Sequence, residues 1–172
     1  AEQNLIGVSA GLSQEGFVPF PCTFDAFSRR FLDHLYVSVA YGGLNVKVLG
    51  AYAGLFTGKA GATHQSDKEL GLLLRIPNLI VVEPGGNDEM RQVLRAAVET
   101  PGPFYLRIVR CNVGENEIGP GYRFQIGRGV TVVDQGAVGG TAGDRDRGEI
   151  QGAVEIEVVG RGVDVPGPDP RR

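Results

Sequence analysis

Between Pro77 and Arg110 a short, wholly apolar run gives way to a strongly periodic helix and then to a second apolar run. That pattern leaves few folds open. Leu79 to Val82 has no polar residue, as a strand buried on both faces requires. Residues 87–99 place Met90, Val93, Leu94, Ala97 and Val98 at helical spacing. Phe104 to Val109 forms the next strand. A strand, helix and strand in this order predict a right-handed crossover between parallel strands.

The alternation continues upstream. Leu5, Val8 and Leu12 fall on one face of a helix over residues 3–15, with Gly7 and Gly11 allowing close packing. Phe17 to Phe20, interrupted by Pro19 and followed by Pro21, reads as a strand or an extended approach to a loop. Phe24, Phe27, Phe31, Leu35 and Val39 recur with helical period as far as Gly42 and Gly43. Val46 to Leu49 is a short strand, and the four glycines of residues 50–64 mark a long loop. Ser66 followed by Glu69 spells a capping box ahead of Leu70, Leu73 and Leu74, and Pro77 ends that helix. The expected class is α/β: a parallel sheet flanked by helices, with function built at the carboxyl ends of its strands.

Glycine shows where this regularity stops, since residues 1–112 hold 13 glycines and residues 113–172 hold 14 in about half the length. We expect a folded domain over 1–112, a linker or hairpin over 113–135, and a Gly-rich, irregular tail over 136–172. Only Val154 to Val159 reads as a strand in that tail, as a truncated or frame-shifted gene would give. Helix begins at the first residues, so the domain's first strand and helix are expected upstream. The balance of 17 basic and 20 acidic residues contains no basic block, which disfavours nucleic acid as a partner. No apolar stretch reaches the roughly 18 residues of a membrane span. Two cysteines, Cys22 and Cys111, make neither a disulfide scaffold nor a four-ligand zinc site, and a cytoplasmic location fits them best.

The chemistry lies in four segments. They are Ala1-Glu2-Gln3-Asn4, Pro21-Cys22-Thr23-Phe24-Asp25-Ala26-Phe27, Gly58-Lys59-Ala60-Gly61-Ala62-Thr63-His64-Gln65, and Pro101-Gly102-Pro103 running on to Tyr105-Leu106-Arg107 and Arg110. Taken singly, each has an ordinary reading. Glu2 is an acid in a helix's first turn, where the dipole favours it. Phe24 and Phe27 fit the core stripe of their helix, and His64 is a histidine in a glycine-rich loop. In this order and spacing the segments resemble the pyrimidine-binding domain of transketolase, most closely the split form whose C-terminal section is a separate chain. The resemblance runs from Ala1 to about Val133.

That resemblance implies a thiamine diphosphate-binding fold supplying the pocket for the cofactor's aminopyrimidine ring. A partner chain, the N-terminal transketolase section, would hold the diphosphate and its Mg2+ or Ca2+, so no metal ligand is expected here. Glu2 matches the catalytic glutamate, whose buried carboxyl shares a proton with the ring and so promotes proton transfer within the cofactor. Phe24 and Phe27 match the aromatics that hold the ring, His64 a histidine serving catalysis and substrate binding, and Arg110 an arginine that grips a substrate phosphate. Arg107, alternating with Arg110, is expected to point elsewhere.

Three departures stand out. Ala60 replaces a substrate-reading aspartate, Tyr52 replaces a substrate-binding histidine, and the helix after Phe27 is one residue short at Ser28-Arg29-Arg30. The expected activity is two-carbon ketol transfer between sugar phosphates, by a dimer or heterotetramer formed with the partner section. The alternatives are a non-catalytic assembly subunit of the same fold, or the beta subunit of a 2-oxo acid dehydrogenase or another thiamine diphosphate enzyme.

Overall fold

A computed structural model describes residues 1–110 and 121–129. Cys111, most of the expected linker and the whole Gly-rich tail, including Val154 to Val159, lie outside the described residues. Helix α1 (Glu2–Gln14) leads to strand β1 (Cys22–Phe24), a 3-10 turn (Asp25–Arg30), and helix α2 (Leu32–His34), which continues as a π-helix (Leu35–Ala40). Then follow β2 (Lys47–Ala53), a short 3-10 turn (Gly58–Ala60), α3 (Glu69–Leu73), β3 (Ile80–Val82), α4 (Asn87–Glu99) and β4 (Phe104–Val109). The four strands are all parallel, in the order β1-β2-β4-β3.

Alternation along β4 explains the two-faced core. Tyr105 joins Ile6, Phe31, Leu35, Val39, Val48 and Leu73 on one side of the sheet. Phe104 and Leu106 meet Val93 and Ala97 of α4 on the other. Further along the chain, Phe124 and Ile126 pack against that second cluster. There the Tyr122 hydroxyl donates to Glu89 at 2.5 Å, and the Phe124 amide donates to Gln92 at 2.9 Å.

Several local expectations are corrected. The buried stripe of α1 is Ile6, Ser9 and Ala10, whereas Val8 and Leu12 are 53% and 43% exposed. Gly7 and Gly11 face open space, not a packed neighbour. Strand β1 begins at Cys22, not at Phe17. The reason is proline chemistry: Pro19 and Pro21 offer only carbonyls, which accept from the Lys47 and Leu49 amides of β2. The helical stripe from Phe24 breaks at Phe31, whose φ of -129° interrupts the turn. Phe31, Leu35 and Val39 are fully buried, but Phe24 and Phe27 are only half-buried and belong to neither core cluster.

Lys47 opens β2 with a buried side chain, its amine donating to the carbonyls of Thr100 at 2.8 Å and Gly102 at 2.6 Å. Burial draws this amine down to about 8 from 10.5. A depressed lysine means that between those values the unfolded chain binds more protons than the folded one, so stability rises with pH across that window. Tyr105 and Tyr122, whose phenols burial pushes up, act in the opposite direction only above about pH 10. The melting temperature should therefore climb from about pH 8 to about pH 9.5 and stay flat in Lys47→Met. A flat profile in the parent chain would contradict this account of Lys47.

Candidate active site

Parallel register places the carboxyl ends of three neighbouring strands side by side. Phe24 pairs with Ala51, Ala51 with Ile108, and Ala53 with Val109. Phe24 at the end of β1, Tyr52 near the end of β2 and Arg110 just beyond β4 thus share one edge of the sheet. The register slips between Ala51 and Ala53, and Tyr52 between them has a φ of 61°. Its ring stands 4.4 Å from that of Phe24. Phe24 stacks on Phe27 with ring centres 5.4 Å apart. His64 meets both edge-on, at 5.7 and 5.3 Å. Thr63 Oγ1 lies 2.8 Å from His64 Nδ1, and Thr57 Oγ1 donates to the His64 carbonyl at 3.4 Å.

Glu2 reaches this group through Arg30. The Arg30 guanidinium pairs with the Glu2 carboxylate at 3.1 Å and lies 4.3 Å from the centre of the Phe27 ring. The Glu2 carboxyl is held below the usual carboxylate range, chiefly by its own backbone N–H and also by Arg30, against the opposing effect of burial.

Beneath the aromatic group lies a buried polar network that sequence reasoning left without a role. Asp25 is fully buried and accepts from Tyr105 Oη at 2.7 Å, from Arg107 Nε at 3.1 Å, and from the Ser66 hydroxyl. Arg107 extends its other arm to Glu83 at 2.5 Å. Burial raises the Glu83 carboxyl and Asp25 adds to that, while Arg107 opposes both. Ser66 is thereby withdrawn from the expected capping box. Helix α3 starts later, at Glu69, whose side chain is buried and pairs with Arg29 at 3.0 Å. Gly50 makes room for the network. A Cβ there would stand 2.5 Å from Tyr105 Oη and 2.6 Å from Asp25 Oδ1, closer than any side chain tolerates.

The structure therefore gathers Phe24, Phe27, His64 and Tyr52 into one cluster, with Arg110 over Tyr52 at 4.9 Å and Glu2 joined through Arg30. Arg107 points away into the network, as the alternation along β4 predicts. Ala60 sits exposed in the 3-10 turn before the His64 loop. The missed residues, Asp25, Ser66 and Tyr105, had one available signal: an acid inside an otherwise apolar β-strand exit, which needs a partner if buried. Two stacked, half-buried phenylalanines beside an imidazole suit a flat heteroaromatic ring, and the nearby carboxylate could bond a ring nitrogen. No cluster of His, Cys, Asp or Glu among the described residues is arranged to hold a metal ion.

Such a domain, a parallel α/β sheet with an aromatic cluster at its carboxyl edge, has the architecture in which ligands bind outside the carboxyl ends of the strands. The chain belongs to the family described as transketolase, pyrimidine binding domain, which it matches over residues 1–115. It is 37% identical over 138 residues to a putative transketolase C-terminal section of Methanocaldococcus jannaschii, covering 78% of this chain and 43% of that one. It is 40% identical over 111 residues to a 6-deoxy-6-sulfo-D-fructose transketolase subunit of a Clostridium species, covering 64% of this chain and 34% of the relative. Among solved structures it resembles a split-gene transketolase described as an inactive beta4 tetramer, with a TM-score of 0.68 and 38% identity over 78% of this chain and 42% of that chain. The chain thus spans less than half the length of these relatives.

Proposed function

We propose that this chain is the C-terminal section of a split transketolase and supplies the aminopyrimidine half of a thiamine diphosphate site. The observation that carries this reading is the convergence of Phe24, Phe27 and His64, with Glu2 linked to them through Arg30, at the carboxyl edge of a parallel sheet. When bound, the cofactor supplies the carbon centre that accepts and releases a two-carbon ketol unit. Phe24 and Phe27 hold the ring by its faces and leave one edge free. Glu2 hydrogen-bonds the ring and governs its protonation. His64 bonds substrate oxygens and moves protons beside the reacting carbon, and Arg110 receives the substrate's phosphate.

Partner dependence is part of the proposal. Phosphates and Mg2+ or Ca2+ would be held by the N-terminal section, in a cytoplasmic dimer or heterotetramer. Val37 of the π-helix and Tyr41 just after it, 55% and 78% exposed, line one groove with Gly7, Ala10 and Gly11 of α1, a face that supports assembly with another chain. Residues 1–112 are taken as the folded domain, and 113–135 as the link onward.

The deciding experiment mixes the chain with its cognate N-terminal section, thiamine diphosphate and magnesium, and follows transfer between sugar phosphates. Transfer should require both chains. A cofactor-loaded assembly without turnover would establish the non-catalytic subunit instead, and 2-oxo acid decarboxylation in its place would establish the dehydrogenase type.

A further inference from the structure

Tyr52 is a bulky residue in a left-handed backbone conformation, with a φ of 61°. Gly54, just after the exit of β2, has a positive φ as well, but as glycine it adopts it without strain. A side chain of this size takes that conformation only when surrounding structure enforces it, and such strain concentrates where a side chain must be aimed. The register slip between Ala51 and Ala53 is the aiming device, since a bulge turns the extra residue's side chain out of the strand's regular alternation. The ring is thereby brought against Phe24 at 4.4 Å, and it also carries the Arg110 guanidinium at 4.9 Å. Arg29, Arg30, Arg91 and Arg107 each pair with a carboxylate. Among the described residues Arg110 rests instead on this aromatic ring. A guanidinium held by an aromatic face keeps its in-plane N–H donors available for an incoming anion.

We infer that Tyr52 is a specificity-determining positioning residue, which fixes Arg110 beside the aromatic pocket and so selects sugar donors that carry a phosphate at the end remote from the transferred carbons. The inference rests on the ketol-transfer reading above and adds to it a cause for the preference. One ring joins the wall of the pocket to the anion-receiving cation, so the distance between the two is set by the bulge and not by a flexible arginine stem.

The test uses the chain assembled with its partner section. KM is compared for D-xylulose 5-phosphate and for unphosphorylated D-xylulose in the parent, Tyr52→Phe and Tyr52→Leu. Phenylalanine keeps the ring face and should preserve the discrimination, whereas leucine should worsen KM for the phosphorylated donor relative to the other by about fivefold. An unchanged ratio in Tyr52→Leu, or a ratio shifted toward the phosphorylated donor, overturns the inference. A second measurement needs no turnover. In the full chain, the Arg110 Nε–H resonance should carry an upfield ring-current shift in the parent and in Tyr52→Phe, lose it in Tyr52→Leu, and respond more weakly there to inorganic phosphate. If the parent assembly transfers no ketol unit, the functional reading falls, while the resonance and its phosphate response still decide the link between Tyr52 and Arg110. A resonance identical in all three chains refutes that link.

Discussion

Replacing Asp25 with alanine should destabilise the chain by about 3–5 kcal/mol, the usual consequence of removing one partner from a buried charge network. The carboxylate is fully buried and accepts three hydrogen bonds, from Ser66, Tyr105 and Arg107. Its loss strands the Tyr105 hydroxyl and the Ser66 hydroxyl without an acceptor, and leaves Arg107 to Glu83 alone. Each unsatisfied buried group costs about 1–3 kcal/mol, so the losses accumulate even though Glu83 still offsets the positive charge. Thermal unfolding of the chain checks this. A fall of roughly 10 °C or more is expected, and a fall of about 2 °C or less would show that the network contributes little. Gly50→Ala approaches the same network from the other side. Its Cβ would collide with Tyr105 Oη and Asp25 Oδ1, so it should destabilise the chain by about 1–3 kcal/mol without removing any charged group.

The network also matters for geometry. Asp25 follows Phe24 directly, and Ser66 lies two residues beyond His64. The bond between them ties the loop bearing the imidazole to the turn bearing the aromatic pair. A chain without Asp25 would lose the mutual placement of these groups before it lost its fold.

How much of this was legible in the sequence depended on whether the forces were local. The α4 helix and the β3 and β4 strands were readable because their apolar periodicity is itself the cause of their burial. The ordering of Phe24, Phe27, His64 and Arg110 was readable from motif spacing, and the parallel register then brings them to one edge. Contacts across long stretches of chain were not readable. Ser66 and Glu69 satisfy the local rule for a capping box, yet the Ser66 hydroxyl is taken by an acid 41 residues away. The buried face of α1 was likewise chosen by what packs on it. Leu5, Val8 and Leu12 form the stronger stripe by hydrophobicity, but Ile6, Ser9 and Ala10 meet the core. The bulge at Tyr52 had only a weak local sign, the glycines Gly50 and Gly54 that flank it.

Glu2→Gln should lower ketol transfer by the assembled enzyme by about 10²–10⁴-fold, the range associated with losing a positioned general acid–base group. Glutamine retains the shape and one hydrogen-bonding oxygen but can neither bear charge nor exchange a proton at neutral pH. In the chain alone the Glu2 carboxyl is held low by its own backbone N–H and by Arg30. Sharing a proton with a ring would require the partner and cofactor to replace those contacts with a drier environment that favours the neutral form. The substitution should therefore act on turnover and scarcely on folding, because the Glu2–Arg30 pair sits near solvent, where such pairs contribute little. Two measurements separate the cases: steady-state transfer of the assembled variant, and thermal unfolding of the chain. Activity within about tenfold of the parent would remove Glu2 from the catalytic group. A variant that also failed to fold would show that its role at the start of α1 is structural.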